Sequence, residues 1–262
     1  MSELRFLLLL CALPVAAVAH DFWFEPSSFT PAPGQRVEFR LRIGDDFVGE
    51  KYPRDEELLD QFVLAGPPGW QNVAGNNGDE PAGHATAGDA GLYLAGYRSK
   101  PMFIELEAAK FEQYLWKEGL EHAIRSRHAH GENARPGREL FSRCAKALLV
   151  SGAGATNGYD RALGFRLEII PAKNPLALAA GDTLPVTVSF EAKPISNLLV
   201  TAISTNNPTR RIQGRTDASG RVDLKLPERS TWLVKTVHIF PAADPKRADW
   251  ESLWATYIFS QP

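Results

Sequence analysis

The chain has 262 residues and a formal net charge of −2 at pH 7, with 23% charged and 44% hydrophobic residues. This balance is typical of a globular protein, and the lack of a basic excess argues against a nucleic-acid partner. Of the two cysteines, only Cys144 lies beyond residues 1–19. An internal disulfide and a cysteine-rich zinc site are therefore excluded from the rest of the chain.

The amino terminus has the pattern of a secretory signal peptide. An apolar run extends to Val18, and Ala17 and Ala19 occupy the two positions that a signal peptidase inspects. The run is shorter than the roughly 20 apolar residues that a membrane-spanning helix needs. We therefore predict a signal peptide over residues 1–19, a mature chain that begins at His20, no later transmembrane segment, and a periplasmic or secreted location.

Alternating or aromatic-rich segments predict strands in the first half of the mature chain. They lie at residues 20–25, 36–43, 92–97, 102–106, 141–150 and 164–170. Residues 66–91 are rich in Gly, Pro, Asn and Asp, and we expect them to be mostly loop. Residues 110–128 have few helix breakers, and Phe111 and Leu115 repeat at helical spacing, so they predict one amphipathic helix.

The segment at residues 173–175, Lys-Asn-Pro, has the composition of a domain boundary. Further strands are predicted after it, at residues 184–190, 198–204, 211–215, 222–226, 232–240 and 254–259. Short strands separated by turn signals at about ten-residue spacing are typical of immunoglobulin-like sandwiches. We therefore predict a mainly β protein with two immunoglobulin-like β-sandwich units, at residues 20–172 and 173–262. The helix near 110–128 is inserted in or after the first unit.

A histidine that becomes residue one of a mature chain has unusual chemistry. Its α-amine has a pKa near ~8 and its imidazole a pKa near ~6.5, so both lose protons at moderate pH. The amine nitrogen and Nδ1 of His20 can then chelate one metal ion, and a second histidine would complete a flat set of three nitrogens. That geometry suits Cu(II) and then Ni(II). His238, within a predicted strand, is the candidate partner, although a histidine buried in the core is the alternative interpretation.

Other ionisable residues yield weaker predictions. His122 and His128 do not share a helix face, and His128 and His130 are expected at a solvated helix end, so the three histidines are not expected to form a metal site.

Arg138, Glu139, Arg143 and Lys146 form a dense charge group around one predicted strand. A salt-bridge network is the simplest interpretation. An anion site, or a role for Glu139, Arg143 and Lys146 in supporting the metal ligands, is the alternative.

Several segments together resemble a bacterial periplasmic family. They are HDFWFEP at residues 20–26, EGL at 118–120, RELFSRCAKAL at 138–148, RTD at 215–217, WLVK at 232–235, VH at 237–238 and DWESLWAT at 249–256. The family is catalogued as a domain of unknown function and is often labelled NikM-like, after proposed nickel or cobalt uptake. The resemblance implies a periplasmic, β-rich protein with immunoglobulin-like parts, and it places His20 and His238 within family motifs. Cys144 stands where an aromatic residue would be more usual, which argues against a cysteine-based function.

We therefore expect a periplasmic metal-binding protein rather than an enzyme. Copper or nickel would be bound by His20 and His238, for transition-metal uptake or homeostasis. The partner would be a membrane transporter or another envelope protein. One alternative is a copper-dependent oxidase or oxygenase that uses an N-terminal histidine site. The other is a metal-free envelope scaffold or adhesion module.

Overall fold

The computed structural model describes residues 20–153 and 157–261, so the predicted signal peptide lies outside the described residues. The first strands are β1 (Asp21–Pro26), β2 (Gln35–Asp45), β3 (Val48–Tyr52), β4 (Leu59–Gly66), β5 (Gly69–Asn72), β6 (Gly83–Ala87), β7 (Gly91–Ser99), β8 (Met102–Leu106), β9 (Gly137–Ser151) and β10 (Leu167–Pro171). The others are β11 (Thr183–Phe190), β12 (Lys193–Pro194), β13 (Leu199–Ser204), β14 (Arg211–Arg215), β15 (Arg221–Lys225), β16 (Thr231–Pro241) and β17 (Trp250–Ser260). Helices α1 (Ala108–Lys117) and α2 (Glu121–Ala129) lie between β8 and β9. The mainly β prediction is confirmed.

One large sheet runs through both halves of the chain. Its strand order is β14-β13-β16-β17-β9-β7-β4-β5, and β8 pairs with the first part of β9. All its pairs are antiparallel except β17 with β9, which is parallel from Trp250 opposite Glu139 onward. Two smaller sheets are built from β1, β2, β3 and β6, and from β10, β11, β12 and β15.

The smaller sheets cover opposite faces of the central sheet, because side chains alternate along each strand. On β9, Cys144 and Leu148 belong to the core formed with the β10–β11–β12–β15 sheet. Ala145 and Leu149 belong to the core formed with the β1–β2–β3–β6 sheet. The central sheet is therefore a layer common to both cores, with one smaller sheet on each of its faces.

The boundary predicted at residues 172/173 falls between two paired strands. β10 pairs with β11 over five residues, with Leu167 opposite Phe190 at one end. The central sheet also crosses this boundary, through β17 and β9. The two halves are thus joined on two layers.

The single helix predicted over residues 110–128 is in fact two helices. Gly119 has φ +66°, and the amide of Leu120 donates to the carbonyl of Leu115 while Gly119 donates to Trp116. This is the Schellman arrangement that ends a helix at a left-handed glycine. Both helices pack on the central sheet through a separate apolar cluster that includes Leu115 and Trp254.

Most of residues 66–91 lie outside strands, as expected, but the range also contains two strands that the sequence pattern does not predict. β5 and β6 lie within that range. β6 pairs with β2, with His84 opposite Glu38, and its buried side chains are alanines. Small side chains give little hydrophobic alternation, which is the sequence signal for a strand.

Candidate functional site

His20 lies immediately before β1, at one end of the β1–β2–β3–β6 sheet. Its Nε2 atom is 3.6 Å from Oδ2 of Asp45, the last residue of β2, and the imidazole is 32% exposed. The other carboxylate oxygen of Asp45 accepts a hydrogen bond from Nζ of Lys117, at the end of α1. The imidazole thus faces a carboxylate that is itself fixed by a lysine.

The free edge of β1 is attached to the central sheet by side chains. The carbonyl of His20 accepts a hydrogen bond from Nη1 of Arg143, on β9. The carbonyl of Phe22 accepts one from Oγ1 of Thr256, on β17, at 2.9 Å. These bonds satisfy strand-edge carbonyls that would otherwise be unpaired, and they fix the backbone of His20.

A buried ionic cluster lies directly behind His20. Nζ of Lys235, on β16, is 2.5 Å from Oδ1 of Asp21 and 2.9 Å from Oε1 of Glu118. All three side chains are at most 5% exposed. Burial by itself would lower the pKa of Lys235, but the two carboxylates outweigh it and raise that pKa. The lysine is therefore charged, and it connects β1, α1 and β16.

His238 lies in a different environment, in contact with the β10–β11–β12–β15 sheet. The centroid of its ring is 4.7 Å from the ring centroid of Phe190, on β11, and 5.2 Å from that of Phe240. Its Nδ1 atom is buried and has no hydrogen-bond partner among the described residues. Burial, followed by the charges of His122 and Arg166, lowers the pKa of His238 to about 4.

The structure does not bring His20 and His238 together. Lys235, which binds Asp21 beside His20, points to one face of β16. His238 is three residues further along the strand, so its side chain points to the opposite face. Metal–nitrogen bonds are about 2 Å long, so one metal ion cannot be coordinated by two histidines on opposite faces of a sheet. The predicted pairing is corrected on this ground.

The predicted group of Glu139, Arg143 and Lys146 is divided between the two faces of β9. Glu139 and Arg143 lie on the face that receives β1. Lys146 lies on the other face, where its Nζ is 3.2 Å from Oε1 of Glu168. Burial lowers the pKa of Lys146, against the attraction of Glu168. Lys146 therefore takes no part in the surroundings of His20, while Glu139 and Arg143 share its face of the sheet.

Arg143 is the member of that group that contacts His20. Its guanidinium lies over the rings of Phe22, Phe141 and Trp254, at 5.6, 5.1 and 5.4 Å from their centroids. Burial lowers the pKa of Arg143 to about 10. The three rings hold the guanidinium by cation–π contacts while it donates to the His20 carbonyl.

Glu139 is buried beneath α1, next to Arg143 on the same strand face. Oγ of Ser252 and Oη of Tyr114 donate to its Oε1 atom, the latter at 3.3 Å. Burial raises the pKa of Glu139 to about 7, against these hydrogen bonds. No contact joins Glu139 to His20 among the residues that the structure describes, so it is not a ligand there.

The histidines of the helical segment are engaged locally. Nε2 of His122 is 2.8 Å from the carbonyl oxygen of Ile239, and Nδ1 of His130 is 2.8 Å from that of Ser126. Nε2 of His128 is 3.6 Å from Oε2 of Glu112. In residues 20–153 and 157–261, no group of three or more His, Cys, Asp or Glu side chains is arranged to hold a metal ion.

Sequence reasoning missed the residues that surround His20. Asp45 lies beside His20 through the pairing of β1 with β2, in which Asp21 is opposite Gly44. Lys117 and Lys235 are further away in the sequence and contact Asp45 and Asp21, the neighbours of His20. Neither helix, nor any other helical segment in the described part of the chain, has the length and apolar character needed to cross a bilayer.

Comparison with known proteins identifies a family but no function. The model of a family described as a domain of unknown function, DUF4198, matches residues 17–239, and nothing in that match ties the chain to nickel or cobalt uptake. No curated protein matches the chain. Among solved structures, the D0-D1 domain of Intimin is 15% identical over 92% of this chain and 98% of that chain, with a TM-score of 0.22. A likeness at this level carries no functional argument.

Proposed function

We propose that this chain, which belongs to the DUF4198 family of domains of unknown function, binds a transition-metal ion at its processed amino terminus. The metal is copper or nickel, and the location is the periplasm. The role is capture and delivery of the ion within an uptake or homeostasis system, rather than catalysis. Cleavage after Ala19 is part of the proposal, since it creates the α-amine that the site uses.

The surroundings of His20 carry this proposal. After cleavage, its α-amine and Nδ1 can close a six-membered chelate ring on one ion. Nε2 would remain directed at Asp45, whose Oδ2 atom is 3.6 Å away. Ligating histidines characteristically present their second ring nitrogen to a carboxylate, which fixes the tautomer and the ring orientation. The hydrogen bond from Arg143 to the His20 carbonyl supports the same site, because it fixes the backbone of the residue that carries both ligand atoms.

Two ligand atoms from one residue leave the remaining coordination positions open. Water, or a side chain of a partner protein, would fill them. Such a site favours transfer of the ion over permanent storage. The copper-oxidase alternative needed a third nitrogen from His238, and the opposite-face position of that residue removes its support. The metal-free scaffold remains as the outcome if no metal binds.

The proposal is tested by titrating Cu(II) and Ni(II) into the protein that begins at His20. A matched protein retains residues 13–19 ahead of His20, so that the α-amine lies far from the imidazole. A shorter extension is unsuitable because one or two added residues would create a new amine–imidazole chelate. We expect one equivalent of metal on the processed protein and at least about tenfold weaker binding, roughly 1.4 kcal/mol, on the extended one.

His238→Asn is the matched histidine control, and we expect it to leave metal affinity unchanged. His20→Asn should lose binding to the same extent as the extended protein. Equal affinity of the processed and extended proteins would show that the amine is not a ligand and would overturn the proposal. Absence of binding to either protein would favour the scaffold alternative.

A further inference from the structure

A small charged cavity lies at the opposite end of the helical segment from His20. It has a volume of about 290 Å³ and lies between the end of α2, the segment that follows it, and the first residues of β9. Ligand pockets usually measure about 300–1,000 Å³, so this cavity suits a small molecule. Three arginines and three carboxylates line it, together with Pro136: Glu105, Arg127, Glu132, Arg135, Arg138 and Asp249.

Arg127 forms the buried wall of this cavity and is 1% exposed. Its Nε donates to Glu112 at 2.8 Å, and its Nη2 donates to the carbonyls of Glu132 and Arg135. Its guanidinium also lies 4.8 Å from the centroid of the Phe111 ring. Its Nη1 group has no acceptor in the part of the chain that the structure describes. A rigidly held guanidinium thus retains N–H donors beside the cavity.

The other lining charges fall into two groups. Arg138 and Asp249 are 3.8 Å apart and are paired with each other. The side chains of Glu105, Glu132 and Arg135 form no ion pair with any residue in 20–153 or 157–261. One cation and two carboxylates at the rim are therefore available to a ligand, in addition to Arg127.

We infer that this cavity binds a small zwitterion of the α-amino acid class. The ligand carboxylate pairs with Arg127 and Arg135, and the ligand ammonium pairs with Glu105 and Glu132. A simple anion is disfavoured, because the two rim carboxylates would repel it, and a simple cation is disfavoured by the arginines. Charge-assisted hydrogen bonds of this kind are the strong ones in proteins, and guanidinium matches carboxylate geometry.

The test is a titration of the intact mature protein with L-alanine, followed by nuclear magnetic resonance of backbone amides and of the Arg127 Nε–H group. Sodium acetate and methylammonium chloride, each carrying one of the two charges, are titrated at the same ionic strength. We expect saturable shifts at residues 132–138 with L-alanine. The two half-ligands should bind at least about tenfold more weakly, because each loses a charge-assisted contact.

Arg135→Ala should weaken L-alanine binding about tenfold. Its side chain is exposed and unpaired, so the fold should be retained. Arg125→Ala, which removes an exposed arginine of α2 outside the cavity, is the matched control and should have no effect. The inference is overturned if acetate binds as well as L-alanine, if L-alanine gives no saturable shift, or if the two arginine variants behave alike.

Discussion

At the scale of single residues, Glu139 is a carboxyl group whose ionised form is disfavoured by burial in the folded protein. The side chain is 2% exposed. Its Oε1 atom accepts hydrogen bonds from Ser252 and Tyr114. Desolvation outweighs these hydrogen bonds and raises the pKa of Glu139 to about 7. Near neutral pH the folded protein therefore takes up a proton that the unfolded chain does not bind.

This proton uptake predicts a pH dependence of stability. The unfolded carboxyl titrates near its ordinary pKa of 4.5, so the folded state gains relative stability as the pH falls from above 7 toward 4.5. Glu139→Gln removes the titrating group and keeps a carbonyl oxygen as acceptor. We expect this variant to be more stable than the parent at pH 8, by about 3 kcal/mol at most, and to lose the advantage near pH 4.5. Urea unfolding at several pH values measures this, and parallel profiles for the two proteins would contradict it.

At the scale of elements, the break between α1 and α2 depends on one glycine. Gly119 has φ +66°, and a Cβ atom there would lie 2.9 Å from side-chain atoms of Leu199 and Arg215. Gly131, after α2, has a similar φ of +68° but has nothing within 4 Å of a Cβ position. An alanine at either position would adopt the same unfavourable left-handed backbone, but only the one at residue 119 would meet close neighbours. The two glycines therefore form a matched pair.

Gly119→Ala should therefore destabilise the protein more than Gly131→Ala. The shared left-handed backbone costs about 1 kcal/mol in each variant. The close contacts at residue 119 should add about 1–3 kcal/mol, as overpacking of a filled site does. The free energy of unfolding of both variants, measured by chemical denaturation, provides the comparison. Equal losses would mean that the side chains of Leu199 and Arg215 can move aside at no cost.

The same elements show which parts of the fold can be read from the sequence. Strongly alternating or apolar segments coincide with strands, and residues 102–106 and 211–215 match β8 and β14 at both ends. β6 escaped prediction because alanine and glycine give no hydrophobic alternation. The helix break at Gly119 escaped because an isolated glycine is tolerated within a helical pattern.

For the candidate site, sequence reasoning reached His20 through the cleavage pattern but not its neighbours. The alternation of side chains along β16 already places His238 and Lys235 on opposite faces of that strand. The sequence does not reveal which face of β16 receives β1, because that depends on contacts between distant segments. Asp45 and Lys117 were inaccessible for the same reason, since only the packed structure brings the ends of β2 and α1 together.

At the scale of the whole molecule, the two halves are expected to unfold as one unit. The β17–β9 pairing and the β10–β11 pairing both cross the boundary predicted at 172/173. The buried cluster of Lys235 with Asp21 and Glu118 crosses it as well. Separating the halves would expose four strand edges, those of β17, β9, β10 and β11. It would also leave the charges of the cluster either buried without partners or newly hydrated.

Calorimetry of the protein that begins at His20 should therefore show one transition, with equal van't Hoff and calorimetric enthalpies. Lys235→Met leaves Asp21 and Glu118 without their cation, and removing one partner of a buried ion pair costs about 3–5 kcal/mol. Because the cluster connects both halves, this variant should move the whole transition to lower temperature. Two resolved transitions, with only one of them moved by Lys235→Met, would instead support two domains that fold independently. Lys51→Met is the control, because the Lys51 side chain is exposed and pairs with the partly buried Glu80. It should change stability by no more than about 1 kcal/mol.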